Sequence, residues 1–107
     1  IEFENFFNSV KERLPKTMVF AISIQPSPSR FDQRPRQQKW NESVRNLAKK
    51  EANLVFIDVS PPMLSADNKP RPELYTEDSL HMNQEGYKIW TKLIRENLKE
   101  FFPEDFL

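Results

Sequence analysis

The chain has 107 residues, with 16 basic and 16 acidic side chains and therefore no net charge. Balanced charge does not favour nucleic acid or an anionic membrane surface, because both are bound largely through an excess of Lys and Arg. No apolar run approaches the ~20 residues that span a bilayer. The absence of cysteine excludes disulfides and thiolate metal sites, and a single histidine argues against any other transition-metal site.

The first half of the sequence predicts a helix, a buried strand and a second helix. Apolar residues at steps of three and four predict an amphipathic helix over residues 2–14, which Pro15 ends. The continuous apolar run over residues 18–24 is typical of a strand buried on both faces, as in a parallel sheet. After a loop rich in Pro and Ser, a second apolar periodicity predicts a helix over residues 34–52.

The second half predicts one more strand, a long loop and a third helix. Residues 54–59 form another buried apolar run, a loop extends over residues 61–80, and Asn83 is predicted to cap the helix that follows. Strands that alternate with helices predict an α/β fold with parallel strands and helices on both faces. Two strands alone leave both sheet edges open, so we expect further strands from a missing N-terminal part or from another copy.

Most of the aromatic residues occur at helical spacings. Trp40, Tyr87, Trp90 and the many phenylalanines are therefore interpreted as core residues rather than as a stacking surface for a ligand. Asp58 ends the second strand, and we interpret it as an anchor for the following loop rather than as a catalytic group.

Asp78 and His81 are the candidate catalytic residues. A spacing of three residues, in a loop that leads into a helix, lets the carboxylate bind one imidazole nitrogen and fix the tautomer. The other nitrogen is then free to accept a proton from a hydroxyl, and an unperturbed imidazole with a pKa near ~6.5 suits that task. The alternative is that Asp78 is an ordinary loop residue near a helix start, because this spacing is common.

The surrounding sequence resembles the final block of the SGNH, or GDSL, hydrolase family. In that block Asp-x-x-His is followed by a helix that opens with Asn, Gly and Tyr. The corresponding residues here are Asp78-Ser79-Leu80-His81-Met82-Asn83-Gln84-Glu85-Gly86-Tyr87, followed by Trp90. Residues 22–30, Asn41, residues 57–59 and residues 63–74 continue the resemblance, in the same order, to one bacterial branch of the family.

The resemblance implies ester or related acyl hydrolysis on a flavodoxin-like three-layer α/β/α sandwich. It implies that His81 is the general base and then the general acid, and that Asp78 holds its tautomer. The implied substrate is an ester or an acylated small molecule or carbohydrate, and the reaction needs no metal or organic cofactor. Residues 1–107 are then expected to form a single, partial SGNH-hydrolase-like domain.

The sequence departs from the family pattern in its nucleophile and oxyanion blocks. The Gly-Asp-Ser and Gly-x-Asn-Asp blocks of the family are absent, and the single glycine, Gly86, follows His81 and so cannot be the oxyanion glycine. In the family, the Gly-x-Asn-Asp block comes shortly before a helix like the one predicted over residues 2–14, so we expect the chain to be the C-terminal half of such a hydrolase. The first residue, Ile1, is not Met and lies within an apolar helical pattern, which fits this expectation, although removal of a tag would also produce such a start. The nucleophilic serine would then lie outside these residues.

Local serines are the alternative source of a nucleophile. Ser27 and Ser29 follow the first strand, where ligands of α/β sheets gather, and Ser79 lies beside the Asp-His pair. The simpler interpretation is that Ser27 and Ser29 shape a Pro-rich turn. Arg30, in the same loop, is either a substrate contact or an exposed charge.

A second hypothesis needs no catalysis. The chain could be a truncated, hydrolase-like module that acts by self-association or by binding a ligand. Open sheet edges favour association with further copies, so a homo-oligomer is the expected partner in that case.

Overall fold

The computed structural model describes residues 2–106 of the chain. Its main elements are α1 (Glu2–Arg13), β1 (Val19–Ile22), α2 (Arg34–Lys50), β2 (Leu54–Ile57), the one-turn helix α3 (Ser60–Met63) and α4 (Gln84–Phe101). Short 3-10 turns lie at Pro28–Gln33, Pro72–Leu74 and Pro103–Phe106. The predicted alternation of helices and strands is confirmed. None of the helices within residues 2–106 is both long and apolar enough to cross a membrane.

The two strands are parallel, as predicted, and shorter than predicted. Val19 lies opposite Leu54, and the register continues to the pair of Ile22 and Ile57. Beyond these residues side chains replace the ladder: the Ile24 N–H donates to Oδ1 of Asn41 at 2.9 Å. Similarly, the Val59 N–H donates to Oγ of Ser23 at 2.9 Å. The chain therefore stays buried beyond the last paired residues, where polar side chains instead of the neighbouring strand bind its backbone.

Helices cover both faces of the sheet, in agreement with the predicted α/β fold class. One buried cluster joins α1, β1, α2 and β2 through Phe7, Ala21, Val44 and Leu54. A second cluster consists of Ile57, Val59, Met63, Leu74, Tyr75 and Met82. Partly buried residues of α4 pack against this second cluster. The chain after β2 therefore folds onto one face, while α1 and α2 pack on the other.

The aromatic residues do not all belong to the core. Trp40 and Trp90 pack against the two clusters, as predicted. The core interpretation is wrong for four exposed side chains, which are Tyr87 (54% exposed), Phe6 (56%), Phe101 (42%) and Phe102 (41%). The reason for Tyr87 is geometric. Its neighbour Gly86 faces the protein in the first turn of α4, and the next residue lies about 100° further round the helix.

Candidate active site

The start of α4 is locked to the segment that precedes the candidate site. Asn83 is the N-cap, as predicted, and its Oδ1 accepts the Gly86 N–H at 3.1 Å. Its Nδ2 donates to the carbonyls of Glu73 at 2.8 Å and Tyr75 at 3.2 Å. A side chain at Gly86 would meet the Leu74 carbonyl oxygen at 2.6 Å. The close approach of the Leu74 carbonyl to Gly86 and the cap by Asn83 together fix where α4 begins.

Asp78 and His81 lie on a tight turn between Tyr75 and Met82. Those two residues form an isolated antiparallel bridge that closes the turn at its base. Inside it, the Thr76 N–H donates to the His81 carbonyl at 2.8 Å, and the Ser79 N–H donates to the Thr76 carbonyl at 2.9 Å. The tightness of the turn places Ser79 in the left-handed region, with φ of 57°.

The turn brings the Asp78 carboxylate against the imidazole ring. Oδ2 of Asp78 lies 2.5 Å from Nδ1 of His81. Oδ1 accepts from the Thr76 hydroxyl at 2.7 Å, from the Leu80 N–H at 2.9 Å and from the His81 N–H at 3.0 Å. The bond to the His81 ring, followed by the other donors, lowers the pKa of Asp78 well below its usual range. The carboxylate is therefore ionised at neutral pH.

An ionised Asp78 determines which atom of His81 can accept a proton. A carboxylate with no proton only accepts hydrogen bonds, so Nδ1 of a neutral imidazole carries the hydrogen that points at Oδ2. Nε2 is then the lone-pair nitrogen. Both side chains are accessible, with His81 73% and Asp78 47% exposed. The arrangement can accept a proton from a group brought to it at the surface.

The candidate serines are not arranged as nucleophiles for this base. Ser27 is buried, whereas Ser29 and Arg30 are exposed. The structure brings Ser29 to the turn through its backbone, because the Ser29 N–H donates to the Ser79 carbonyl at 3.0 Å. Within residues 2–106, the hydrogen bond of the His81 ring is to Asp78 and not to a serine hydroxyl. Local serine nucleophiles thus gain no support from the geometry.

Two neighbours of the pair were not anticipated from the sequence. The Thr76 hydroxyl donates a hydrogen bond to Asp78. Its position two residues before the predicted catalytic carboxylate could have indicated this contact. Gln25 donates Nε2 to the Leu80 carbonyl at 3.3 Å. Its position directly beyond the first predicted strand, at the carboxyl edge of the sheet, was the corresponding signal.

A buried polar cluster lies at the same edge of the sheet. Arg34 is buried, and its guanidinium donates to the Ile24 carbonyl at 3.0 Å and to Oγ of Ser60 at 2.9 Å. Burial lowers the pKa of Arg34, while Asp58 acts in the opposite direction. Asp58 accepts the Ser60 N–H at 3.0 Å and bonds Arg45 at 2.7 Å. As predicted, Asp58 anchors the start of the loop after β2.

One hollow in the described part of the chain is separate from the Asp-His pair. It has a volume of about 410 Å³ and lies between α2 and the loop that follows β2. Its walls include Arg34, Asn41, Asp58 and Asn68, but neither Asp78 nor His81. The chemistry of the pair, rather than the size of a hollow, therefore identifies the candidate active site.

Comparison with known proteins agrees with the α/β fold. The profile of the GDSL-like Lipase/Acylhydrolase family matches residues 2–89. A solved structure from Streptococcus pneumonia, provisionally described as a platelet activating factor, is 26% identical, with a TM-score of 0.75. The match covers 90% of this chain and 48% of that protein, so the chain spans about half of its length. No curated protein matches the sequence. Because the family profile extends over most of its length, this chain belongs to the GDSL-like lipase/acylhydrolase family.

Proposed function

We propose that Asp78 and His81 are the orienting acid and the general base of a serine-type esterase. The observation that carries the proposal is the 2.5 Å contact between Asp78 Oδ2 and His81 Nδ1. The carboxylate that makes this contact is held by three further donors, so its direction is fixed before any substrate arrives. Family membership supports an acyl substrate, which we take to be an ester or an acylated small molecule or carbohydrate.

The proposed reaction uses Nε2 of His81 twice. It first accepts the proton of a serine hydroxyl as that oxygen attacks the acyl carbon, and the resulting imidazolium is stabilised by Asp78. It then returns the proton to the departing alcohol oxygen, which leaves an acyl-enzyme. A water molecule repeats both steps, giving the free acid and restoring the serine. The nucleophile in this proposal is a serine outside residues 1–107.

The test uses a longer protein in which an N-terminal segment with the family's Gly-Asp-Ser block precedes residues 1–107. It compares the effects of replacing two neighbouring carboxylates on ester hydrolysis. Asp78→Asn keeps the shape of the side chain but favours the wrong imidazole tautomer, so we expect kcat for p-nitrophenyl acetate to fall roughly 10⁴-fold. Glu77→Gln removes an exposed carboxylate next to it and should leave turnover within about twofold. Wild-type turnover in Asp78→Asn, or an equal loss in Glu77→Gln, would contradict the assignment.

A fluorophosphonate probe tests where the nucleophile lies. The 107-residue chain alone is expected to show no adduct by intact mass, because its serines are not bonded to His81. A single adduct that disappears in His81→Ala would instead place the nucleophile within residues 1–107.

The second candidate function is a non-catalytic module that associates with further copies. The observation in its favour is the sheet, which within residues 2–106 has two strands and hence two open edges. Phe6 and Leu14 of the α1 region add exposed apolar surface. Absence of esterase turnover in the protein that contains the Gly-Asp-Ser segment, with Asp78 and His81 unchanged, would favour this alternative.

A further inference from the structure

The loop over residues 25–29 is bonded to the backbone that links Asp78 to His81. The Ser29 N–H donates to the Ser79 carbonyl at 3.0 Å. Nε2 of Gln25 donates to the Leu80 carbonyl at 3.3 Å. Ser79 and Leu80 are the two residues between the acid and the base, so both bonds act on the segment that sets their relative position.

Each of these carbonyls shares a peptide unit with an N–H that holds the Asp78 carboxylate. The Ser79 carbonyl is in the same unit as the Leu80 N–H, which donates to Asp78 Oδ1 at 2.9 Å. The Leu80 carbonyl is in the same unit as the His81 N–H, which donates to that oxygen at 3.0 Å. A peptide unit is planar, so fixing the direction of its carbonyl also fixes the direction of its N–H.

The side-chain oxygen of Gln25 is buried and has no hydrogen-bond partner within residues 2–106. A buried acceptor without a partner lowers stability, and an apolar side chain of similar length would avoid that cost. The stability of the loop therefore does not explain an amide at this position. The bond from its Nε2 to the Leu80 carbonyl does.

We propose that Gln25 is a positioning residue for the Asp78–His81 pair. This inference rests on the proposed function. Gln25 holds the carbonyl of the unit between Leu80 and His81, which keeps the N–H of that unit aimed at Oδ1 and leaves Oδ2 for the imidazole. Without the Gln25 donor, the unit can rotate, and the carboxylate loses one of the three donors that fix its direction.

Nuclear magnetic resonance of the 107-residue chain tests the inference without requiring activity. His81 is the only histidine, so its ring signals are unambiguous. Gln25→Met removes the donor at similar length, and we expect about tenfold faster exchange of the His81 amide hydrogen. The downfield Nδ1 proton signal should broaden as its bond to Asp78 loosens. Gln25→Lys keeps a donor and should retain most of the protection.

The matched control is at the opposite end of the sheet. Nδ2 of Asn53 donates to the Pro15 carbonyl at 2.9 Å, so Asn53→Leu also removes an amide-to-carbonyl bond. It should leave the His81 signals unchanged. Ser29→Pro removes the other bond to the turn and keeps the inference testable if Gln25→Met does not fold. We expect it to speed exchange of the Leu80 amide.

The readouts separate this inference from the proposed function. Wild-type His81 exchange and an unchanged Nδ1 signal in Gln25→Met would overturn the positioning role, whatever the enzyme does. In the protein with a Gly-Asp-Ser segment, Gln25→Met should lower kcat about tenfold at unchanged KM. If the His81 signals change while Asp78→Asn retains full turnover, Gln25 positions the pair but the proposed function is wrong.

Discussion

Asp78 combines two tasks that different oxygen atoms perform. Oδ1 accepts three donors from its own turn, while Oδ2 faces the His81 ring. The bond to the imidazole, followed by the donors on Oδ1, favours the ionised form and lowers the pKa of the carboxyl group. Near neutral pH, Asp78 therefore binds no proton, so in the proposed reaction the proton would be carried by His81.

Tyr75 differs from Asp78 in that its pKa is raised rather than lowered. Its hydroxyl is buried without a hydrogen-bond partner in the described part of the chain, and burial raises its pKa to about 12. The folded state thus favours the neutral phenol, whereas the unfolded chain ionises near pH ~10. Unfolding releases a proton above that pH, so stability due to this group is lost as the pH rises from about 10 towards 12.

Tyr75→Phe should remove both the unpaired hydroxyl and this pH dependence. We expect its free energy of unfolding to equal or exceed that of wild type at pH 7, by up to about 1 kcal/mol. The advantage should grow at alkaline pH, which urea unfolding at pH 7 and pH 10.5 would measure. A variant that is less stable at both pH values would show that the hydroxyl has a partner in solution.

At the scale of elements, the first turn of α4 couples a helix start to the candidate site. Gly86→Ala would place a Cβ atom 2.6 Å from the Leu74 carbonyl. Alanine favours a helix by about 1 kcal/mol over glycine, but overpacking costs roughly 1–3 kcal/mol and here involves backbone that cannot give way easily. We therefore expect a net loss of about 1–2 kcal/mol in the free energy of unfolding.

Urea unfolding would measure this loss, and Glu85→Ala is the control. Glu85 is exposed in the same turn and pairs with Lys88 at the surface, so its replacement changes helix preference and this exposed ion pair without adding a contact to Leu74. Gly86→Ala at or above wild-type stability would mean that the turn at residues 72–74 moves away at little cost.

Local patterns in the sequence predicted the helices and strands. The features that they did not predict depend on contacts between residues far apart in the chain. Apolar spacing predicted α1, α2 and α4, and Asn83 was recognisable as a cap because its partner Gly86 is three residues away. The bond from Gln25 to Leu80 joins residues 55 positions apart, which no local pattern contains. The exposure of Tyr87 also depended on the packing of its neighbour, since its own spacing fitted the apolar face.

At the scale of the whole molecule, the faces of the sheet are covered but its edges are open. Within residues 2–106, helices cover both faces, but each of the two strands has one unpaired edge. Open edges present backbone donors and acceptors to another chain. We expect the purified 107-residue chain to sediment as a dimer or larger species at micromolar concentration. A monodisperse monomer with one cooperative unfolding transition would count against this expectation.

Because His81 is exposed, the strength of its interaction with Asp78 depends on what lies over the imidazole ring. In the absence of a cover, water surrounds the 73% of the side chain that is accessible, and the high dielectric constant weakens its interaction with Asp78. An acyl group that lies over the imidazole would exclude that water and strengthen the same interaction as charge develops. If the proposed function holds, larger acyl groups would therefore increase the rate of the chemical step itself by excluding more solvent.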